Sequence, residues 1–212
     1  MAEAIVRELR EFYEHEAIAG SRGPATGPRV DAASAFVSLL LHEQRSSLLD
    51  LGAGPATDAA VFAEADVAYV GIDLAVANGV LADRKGHRVL AASLFDLPFR
   101  SGSFDAGWSM STLMHVPGER VARAMSEIVR PLRPGAPLAI GLWGGPDRDI
   151  IGEPDLSGAR RVFSLRSAAG NRELLAAHGA IERWEVWDAG PDDWEYHFAV
   201  LRLPAPSTAP AG

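Results

Sequence analysis

Cysteine is absent from the 212 residues, which excludes disulfide frameworks, thiolate zinc sites and thiol nucleophiles. Lysine is nearly absent: Lys85 is the single one among 20 basic residues, and 28 acids leave a formal net charge of −8. That balance lacks the basic footprint that displaces counterions from nucleic acid, so no nucleic-acid partner is expected. No apolar run approaches the roughly 18 residues of a membrane span, and no membrane partner is expected either. His15, His42, His87, His115, His178 and His197 show no paired ligand spacing, so no metal is expected. The opening stretch MAEAIVRELREFYEHE is acidic and amphipathic, unlike a secretory signal, and the expected location is cytoplasmic. What remains is a globular composition, 48% hydrophobic and 23% charged, of a length suited to one α/β domain.

Apolar spacing divides the chain. Ile5, Leu9, Phe12 and Tyr13 recur at helical intervals, and so do Val30, Ala33, Val37, Leu40 and Leu41, with a Gly/Pro-rich connection between the two expected helices. From Ser46 onward short apolar runs alternate with helical stretches. Strands are expected at 47–51, 67–72, 89–92, 104–109 and 137–143. A helix should start near Pro55 and run to about Glu64, because proline costs nothing in a first turn. Another carries Val121, Ala124, Met125, Ile128 and Val129 on one face and ends at Pro131. Such alternation implies right-handed βαβ units, hence an α/β, doubly wound, mostly parallel sheet. Two further strand-like runs, 181–188 and 194–203, are joined too closely for a parallel crossover and must close the sheet as an antiparallel hairpin. The Pro/Ala-rich tail, 204–212, is expected to be disordered.

The sharpest local signal follows the first strand. In Asp50-Leu-Gly-Ala-Gly54, Gly52 and Gly54 let the backbone turn tightly and approach a ligand with no Cβ in the way. Asp73, at the end of the second strand, stands where an acid can accept both hydroxyls of a ribose. Alone, this pattern also suits a plain strand–helix turn with a surface acid, or an NAD-dependent oxidoreductase. Against the latter, Thr57 occupies the position of the third glycine in a dinucleotide fingerprint.

Five ordered motifs favour another reading: Asp50-Leu-Gly-Ala-Gly54, Gly71-Ile-Asp-Leu74, Ser93-Leu-Phe-Asp-Leu-Pro-Phe99 followed by Ser103-Phe-Asp105, Leu113-Met-His-Val116 and Leu132-Arg-Pro-Gly135. Together they resemble the class I S-adenosylmethionine-dependent methyltransferases, in particular the small-molecule branch called methyltransferase type 11. The resemblance covers roughly residues 45 to 145 and implies a Rossmann-like sheet of seven strands, with S-adenosyl-L-methionine as cofactor and S-adenosyl-L-homocysteine as product. It divides a single domain, 1–203, into an N-terminal helical lid (1–44), a cofactor-binding core (45–145), and an acceptor-pocket segment with the closing hairpin (146–203).

The resemblance also implies roles. Gly52, Ala53 and Gly54 would cradle the methionine portion and ribose, and Asp50 would reach the cofactor's amino group through water. Asp73 would bind the ribose hydroxyls and Leu74 the adenine face. Ser93 replaces the family's acid at the adenine amino group, and Ala56 replaces its third glycine. Leu94 would supply a backbone N–H and an apolar wall, and Ser109 and Met110 would line the methionine end. Tyr13 would sit on the lid helix and shield the sulfonium, or pack in the core. His115 is the candidate base, or else a histidine packed beside the cofactor. Trp143 and Arg148, after the fifth strand, are the acceptor-pocket candidates. Arg22 and Arg29 could meet a carboxylate or be solvated. Trp184, Trp187 and Trp194 are expected within the closing sheet, and Arg120 on a solvated face. The reaction implied is methyl transfer to an O, N or C nucleophile of a small molecule. A catalytically silent cofactor-binding protein is the remaining alternative.

Overall fold

A computed structural model describes residues 2–20, 22–25, 27–155, 158–189 and 193–205. Two helices, α1 (Ala2–Ala19) and α2 (Pro28–His42), precede the alternating region. There β1 (Ser47–Leu51), α3 (Ala59–Ala63), β2 (Ala68–Asp73), α4 (Val76–Asp83), β3 (Val89–Ala91) and β4 (Ala106–Met110) follow in order. Short 3-10 turns at Leu113–His115 and Gly118–Arg120 lead into α5 (Val121–Val129) and β5 (Pro137–Gly144). The rest comprises β6 (Arg148–Ile151), β7 (Val162–Leu165), α6 (Ala168–Ala176), β8 (Ala180–Ala189) and β9 (Glu195–Arg202).

Seven strands form one sheet in the order β3-β2-β1-β4-β5-β9-β8. The pairs β1–β2, β2–β3, β1–β4 and β4–β5 are parallel, while β9 runs antiparallel between β5 and β8. The doubly wound sheet and its closing hairpin are as expected. Strand alternation sends Leu49 and Leu51 into one core with Met125, Ile128, Leu138 and Ile140, where α5 covers the sheet. Leu48, Trp108, Ala139 and Phe198 face the other core, with Phe36 and Leu40 of α2 and Phe62 of α3. With helices over both faces, the central strands can be almost wholly apolar.

Three expectations need correction. The buried face of α2 is Ala32, Ala33, Phe36 and Leu40, while Val30 and Leu41 are exposed, so the helix is rotated from the face that its branched residues suggested. The helix after the glycine turn spans Ala59–Ala63 rather than starting at Pro55, because Ala56 sits at φ 57°, a left-handed conformation that interrupts helical winding. A second, two-stranded sheet of β6 and β7 lies in the segment between β5 and the closing hairpin, where no strand was expected. Of the expected tail, residues 206–212 lie outside the described residues.

Candidate functional site

The order of the sheet reverses at β1, whose neighbours β2 and β4 lead outward in opposite directions. Crevices at the carboxyl ends of strands flanking such a switch point are where open α/β sheets bind ligands. The glycine turn emerges from β1 at this point. Gly52 has φ 78°, and a Cβ there would lie 2.0 Å from Thr112 Oγ1, so no other residue fits. Asp73, ending β2, ties the turn down: its Oδ2 accepts the Gly54 N–H at 2.9 Å, and its Oδ1 accepts the Ala75 N–H at 2.9 Å and Asn78 Nδ2 at 3.1 Å. A carboxylate offers about four lone-pair directions, so acceptor capacity remains for a ligand.

A first cavity, with about 810 Å³ of empty space, opens in front of this turn. Gly52, Ile72, Asp73 and Leu74 line it from β1 and β2; Ser93, Leu94 and Phe95 from the loop after β3; Ser111, Thr112 and His115 from the segment after β4. Helix α1 closes it with Ile5, Val6, Leu9 and Tyr13. The helix is anchored there by Glu14, whose carboxylate accepts the N–H groups of Val76 at 2.6 Å and Ala77 at 2.8 Å. These donors belong to the first turn of α4, the end of a helix that favours negative charge.

A second cavity, with about 900 Å³ of empty space, adjoins the first, and Tyr13, Arg22 and Ser111 line both. Its other walls include Arg29, Met114, Trp143, Arg161, Phe163 and Trp194. Ser111 stands at this junction with φ 58°, held by its N–H on the Gly141 carbonyl (2.7 Å) and its hydroxyl beside Tyr196 Oη (3.0 Å). Such a strained residue persists only where its surroundings over-determine it.

Beneath the junction lies His115, buried, with its Nδ1 2.7 Å from the Val162 carbonyl and its Nε2 2.7 Å from Tyr13 Oη. A carbonyl only accepts, so Nδ1 carries the proton and Nε2 accepts the tyrosine hydroxyl. Burial, opposed by the Val162 hydrogen bond and reinforced by Arg161 and Arg22, pushes the His115 pKa down to about 4. The imidazole is therefore neutral at physiological pH, and its basic lone pair is occupied by Tyr13. Burial raises the Tyr13 pKa, against the pull of Arg161 and Arg22, so its phenol stays protonated.

The structure brings Tyr13, Gly52, Asp73, Leu74, Ser93, Leu94 and His115 together around the first cavity, and Trp143 joins the second. Other expected residues lie elsewhere. Asp50 is buried outside both linings and accepts the Tyr69 hydroxyl at 2.7 Å; burial, then the nearby Asp58 charge, pushes its pKa up to about 7. Ala53 is turned down toward Gly71, and Gly54 contributes its N–H to Asp73 rather than lining the cavity. Ser109 bonds the Leu51 carbonyl at 2.9 Å and Met110 is buried; the kink at Ser111 hands their expected place to Ser111 and Thr112. Arg148 is exposed on β6 and reaches neither cavity. Trp194, expected within the closing sheet, lines the second cavity instead, and Arg120 lines the first with its guanidinium 3.8 Å from the Phe95 ring centre. Arg161 and Phe163 were missed: they belong to the β6–β7 region, which carries no motif of its own.

Residues 49–140 match a family described as a methyltransferase domain. An uncharacterized methyltransferase of Mycobacterium sp. (strain JLS) is 38% identical over 104 residues, covering 47% of this chain and 40% of that protein. The chain thus spans less than half the length of that relative. Among solved structures, the 1,6-didemethyltoxoflavin-N1-methyltransferase of Burkholderia thailandensis, with bound 1,6-didemethyltoxoflavin and S-adenosylhomocysteine, superimposes with a TM-score of 0.75. It is 21% identical, with 96% of this chain and 91% of that one covered. A DhpI–SAH complex gives 0.70 at 20% identity, covering 97% and 100%. At such identities the structures speak for the fold. With its five motifs in register and its glycine turn at the switch point, the stretch 49–140 is similar to a methyltransferase domain.

Proposed function

We propose that this protein transfers a methyl group from S-adenosylmethionine to an O, N or C nucleophile of a small molecule. The observation that carries this reading is the meeting of two cavities at Tyr13, Arg22 and Ser111, directly in front of the glycine turn. When bound, S-adenosylmethionine supplies an electrophilic methyl on a sulfonium sulfur. The first cavity fits such a nucleoside. Gly52 leaves the backbone bare, Asp73 keeps acceptor capacity at Oδ2 for a ribose hydroxyl, and Leu74, Leu94 and Ser93 provide a mostly apolar wall for adenine. Arg22, whose Nη1 lies 2.8 Å from where a Gly54 Cβ would be, is placed to pair with the methionine carboxylate once it leaves Glu16.

The chain's own work is positioning and exclusion of water. Residues 1–44 act as the lid: Ile5, Val6 and Leu9 cover the nucleoside side, and Tyr13 stands at the junction. His115 orients Tyr13 and is not a free base. The segment 146–203 completes the acceptor side through Arg161, Phe163 and Trp194. A net charge of −8 favours a small acceptor over a nucleic acid.

A thermal-shift comparison tests the cofactor: S-adenosylhomocysteine should stabilise the protein and NAD should not. Stabilisation by NAD alone would overturn the assignment. Labelled-methyl transfer to a panel of small acceptors tests the reaction, and a co-crystal with S-adenosylhomocysteine tests each residue role.

A further inference from the structure

The lining of the second cavity specifies a charge and a shape. We propose that its occupant is a planar aromatic anion, an aromatic or heteroaromatic ring carrying a carboxylate, phenolate or enolate, with Arg161 facing the charge. This rests on the reading above, in which the second cavity holds the methyl acceptor.

The shape comes from the rings. Trp143 and Trp194 lie with centroids 6.1 Å apart at 62°, and Phe163 and Trp194 at 5.1 Å and 63°. With Tyr13 they give the cavity flat apolar walls set at angles, which suit an edge-on or stacked ring. Aromatic walls alone would equally suit an ammonium acceptor, which seats over ring faces. The charges decide between the two. Arg22, Arg29 and Arg161 all line this cavity, and no aspartate or glutamate does among the described residues. Arg29 is occupied by Asp58 through a forked pair (3.1, 3.1 and 2.7 Å), and Arg22 is paired with Glu16 at 2.9 Å. Arg161 is arranged differently. Its guanidinium lies 4.4 Å from the Phe12 ring centre and 5.2 Å from that of Phe163 and hydrogen-bonds the Tyr13 hydroxyl, so neutral groups hold it at the cavity wall. A cationic acceptor would meet repulsion from Arg161, while an anion gains a planar, fork-shaped partner.

The charge also answers the question of the base. His115 has its lone pair engaged, and Tyr13 is protonated. An acceptor bound as an anion needs neither. Its lone pair forms the new bond to the methyl carbon as the carbon–sulfur bond breaks, with that bond's electron pair passing to sulfur. The anion and the sulfonium both become neutral, and no proton changes hands.

Calorimetry on the full chain, with S-adenosylhomocysteine present at saturation and separately without it, tests the proposal with three probes of one shape: 2-naphthoate, 2-naphthamide and 2-naphthylmethylammonium. The carboxylate should bind at least tenfold more tightly than the amide, and the ammonium more weakly than both. Arg161→Gln should remove the preference for the carboxylate, and Arg161→Lys should retain part of it, while each variant keeps S-adenosylhomocysteine affinity within about threefold. Equal binding of amide and carboxylate, tighter binding of the ammonium, no binding of the carboxylate at millimolar concentration, or an unchanged preference in Arg161→Gln would each overturn the proposal. If Arg161→Gln folds poorly, the three-probe comparison on the unaltered protein decides. Failure of S-adenosylhomocysteine to bind the unaltered protein would refute the methyltransferase reading, whereas failure of the naphthoate alone would refute only the acceptor class.

Discussion

The buried imidazole of His115 should make the protein acid-sensitive in a calculable way. Its folded pKa is about 4, against an ordinary value of 6.5, because burial penalises the cation by more than the Val162 carbonyl restores, with smaller repulsions from Arg161 and Arg22 added. Between pH 4 and 6.5 the unfolded chain binds the proton and the folded chain does not. Stability from this group is therefore present above pH 6.5 and is lost as pH falls toward the folded value. At 1.36 kcal/mol per pKa unit, the loss relative to pH 8 is about 2 kcal/mol at pH 5 and about 3 kcal/mol at pH 4. His115→Gln keeps a polar side chain and abolishes the titration. Urea unfolding of both proteins at pH 8 and pH 5 reads the difference: the unaltered protein should lose about 2 kcal/mol more than the variant over that interval. The His115 ring should also show no titration above pH 5 by NMR. Equal losses in the two proteins, or a ring that titrates between 6 and 7, would refute the reasoning and return His115 to candidacy as a base. The same argument predicts that any pH–rate profile for methyl transfer lacks a limb from His115 between pH 5.5 and 8.

Four other outcomes follow from the geometry. Asp73→Ala removes the acceptor of three protein donors as well as any ribose contact, and should weaken S-adenosylhomocysteine at least tenfold by calorimetry. Gly52→Ala forces a Cβ into Thr112 at a positive φ; it should lower the melting temperature and abolish S-adenosylhomocysteine binding, and Thr112→Gly in the same chain should restore only part of the stability. Glu14→Ala removes the carboxylate from the first turn of α4 and, at about 1 kcal/mol for such a cap, should raise lid opening several-fold, read as faster hydrogen exchange in α1. Asp50→Asn should have the opposite pH signature to His115: with a folded pKa near 7, Asp50 costs stability as pH rises from about 4 through 7. The variant should gain on the order of 4 kcal/mol over the unaltered protein at pH 8 and under about 1 kcal/mol at pH 4 in denaturant titrations.

The lining of the first cavity was largely legible because local sequence carries it. A glycine with no room for a Cβ, an acid at a strand end and a loop after β3 all fall within short, ordered motifs, and Gly52, Asp73, Leu74, Ser93 and Leu94 do line one cavity. The errors were of rotation and reach. Ser109 and Met110 carried the expectation for the end of β4, but the kink at Ser111 moves the lining two residues on. Asp50 matched the motif, yet the alternation of β1 turns its carboxylate to Tyr69. Trp184, Trp187 and Trp194 were all expected within the closing sheet; Trp187 does stack on Tyr196 and Phe198, whereas Trp194 meets Trp143 and Phe163 at the second cavity.

The architecture could be read from the chain's residues, as could the motifs that resemble a methyltransferase domain. Apolar periodicity dictates which runs become buried strands and which become covering helices, a five-residue connection forces an antiparallel closure, and ordered motifs mark the switch-point turn. Long-range packing was needed to form the second cavity and to set the state of His115. Tyr13, Arg161 and Trp194 are brought together from α1, the β6–β7 segment and the residue before β9, and Tyr13 in turn meets His115 from the turn after β4. Hydrogen-bond partners and desolvation set by such long-range packing fix a proton and a charge field, and no local pattern of residues encodes them.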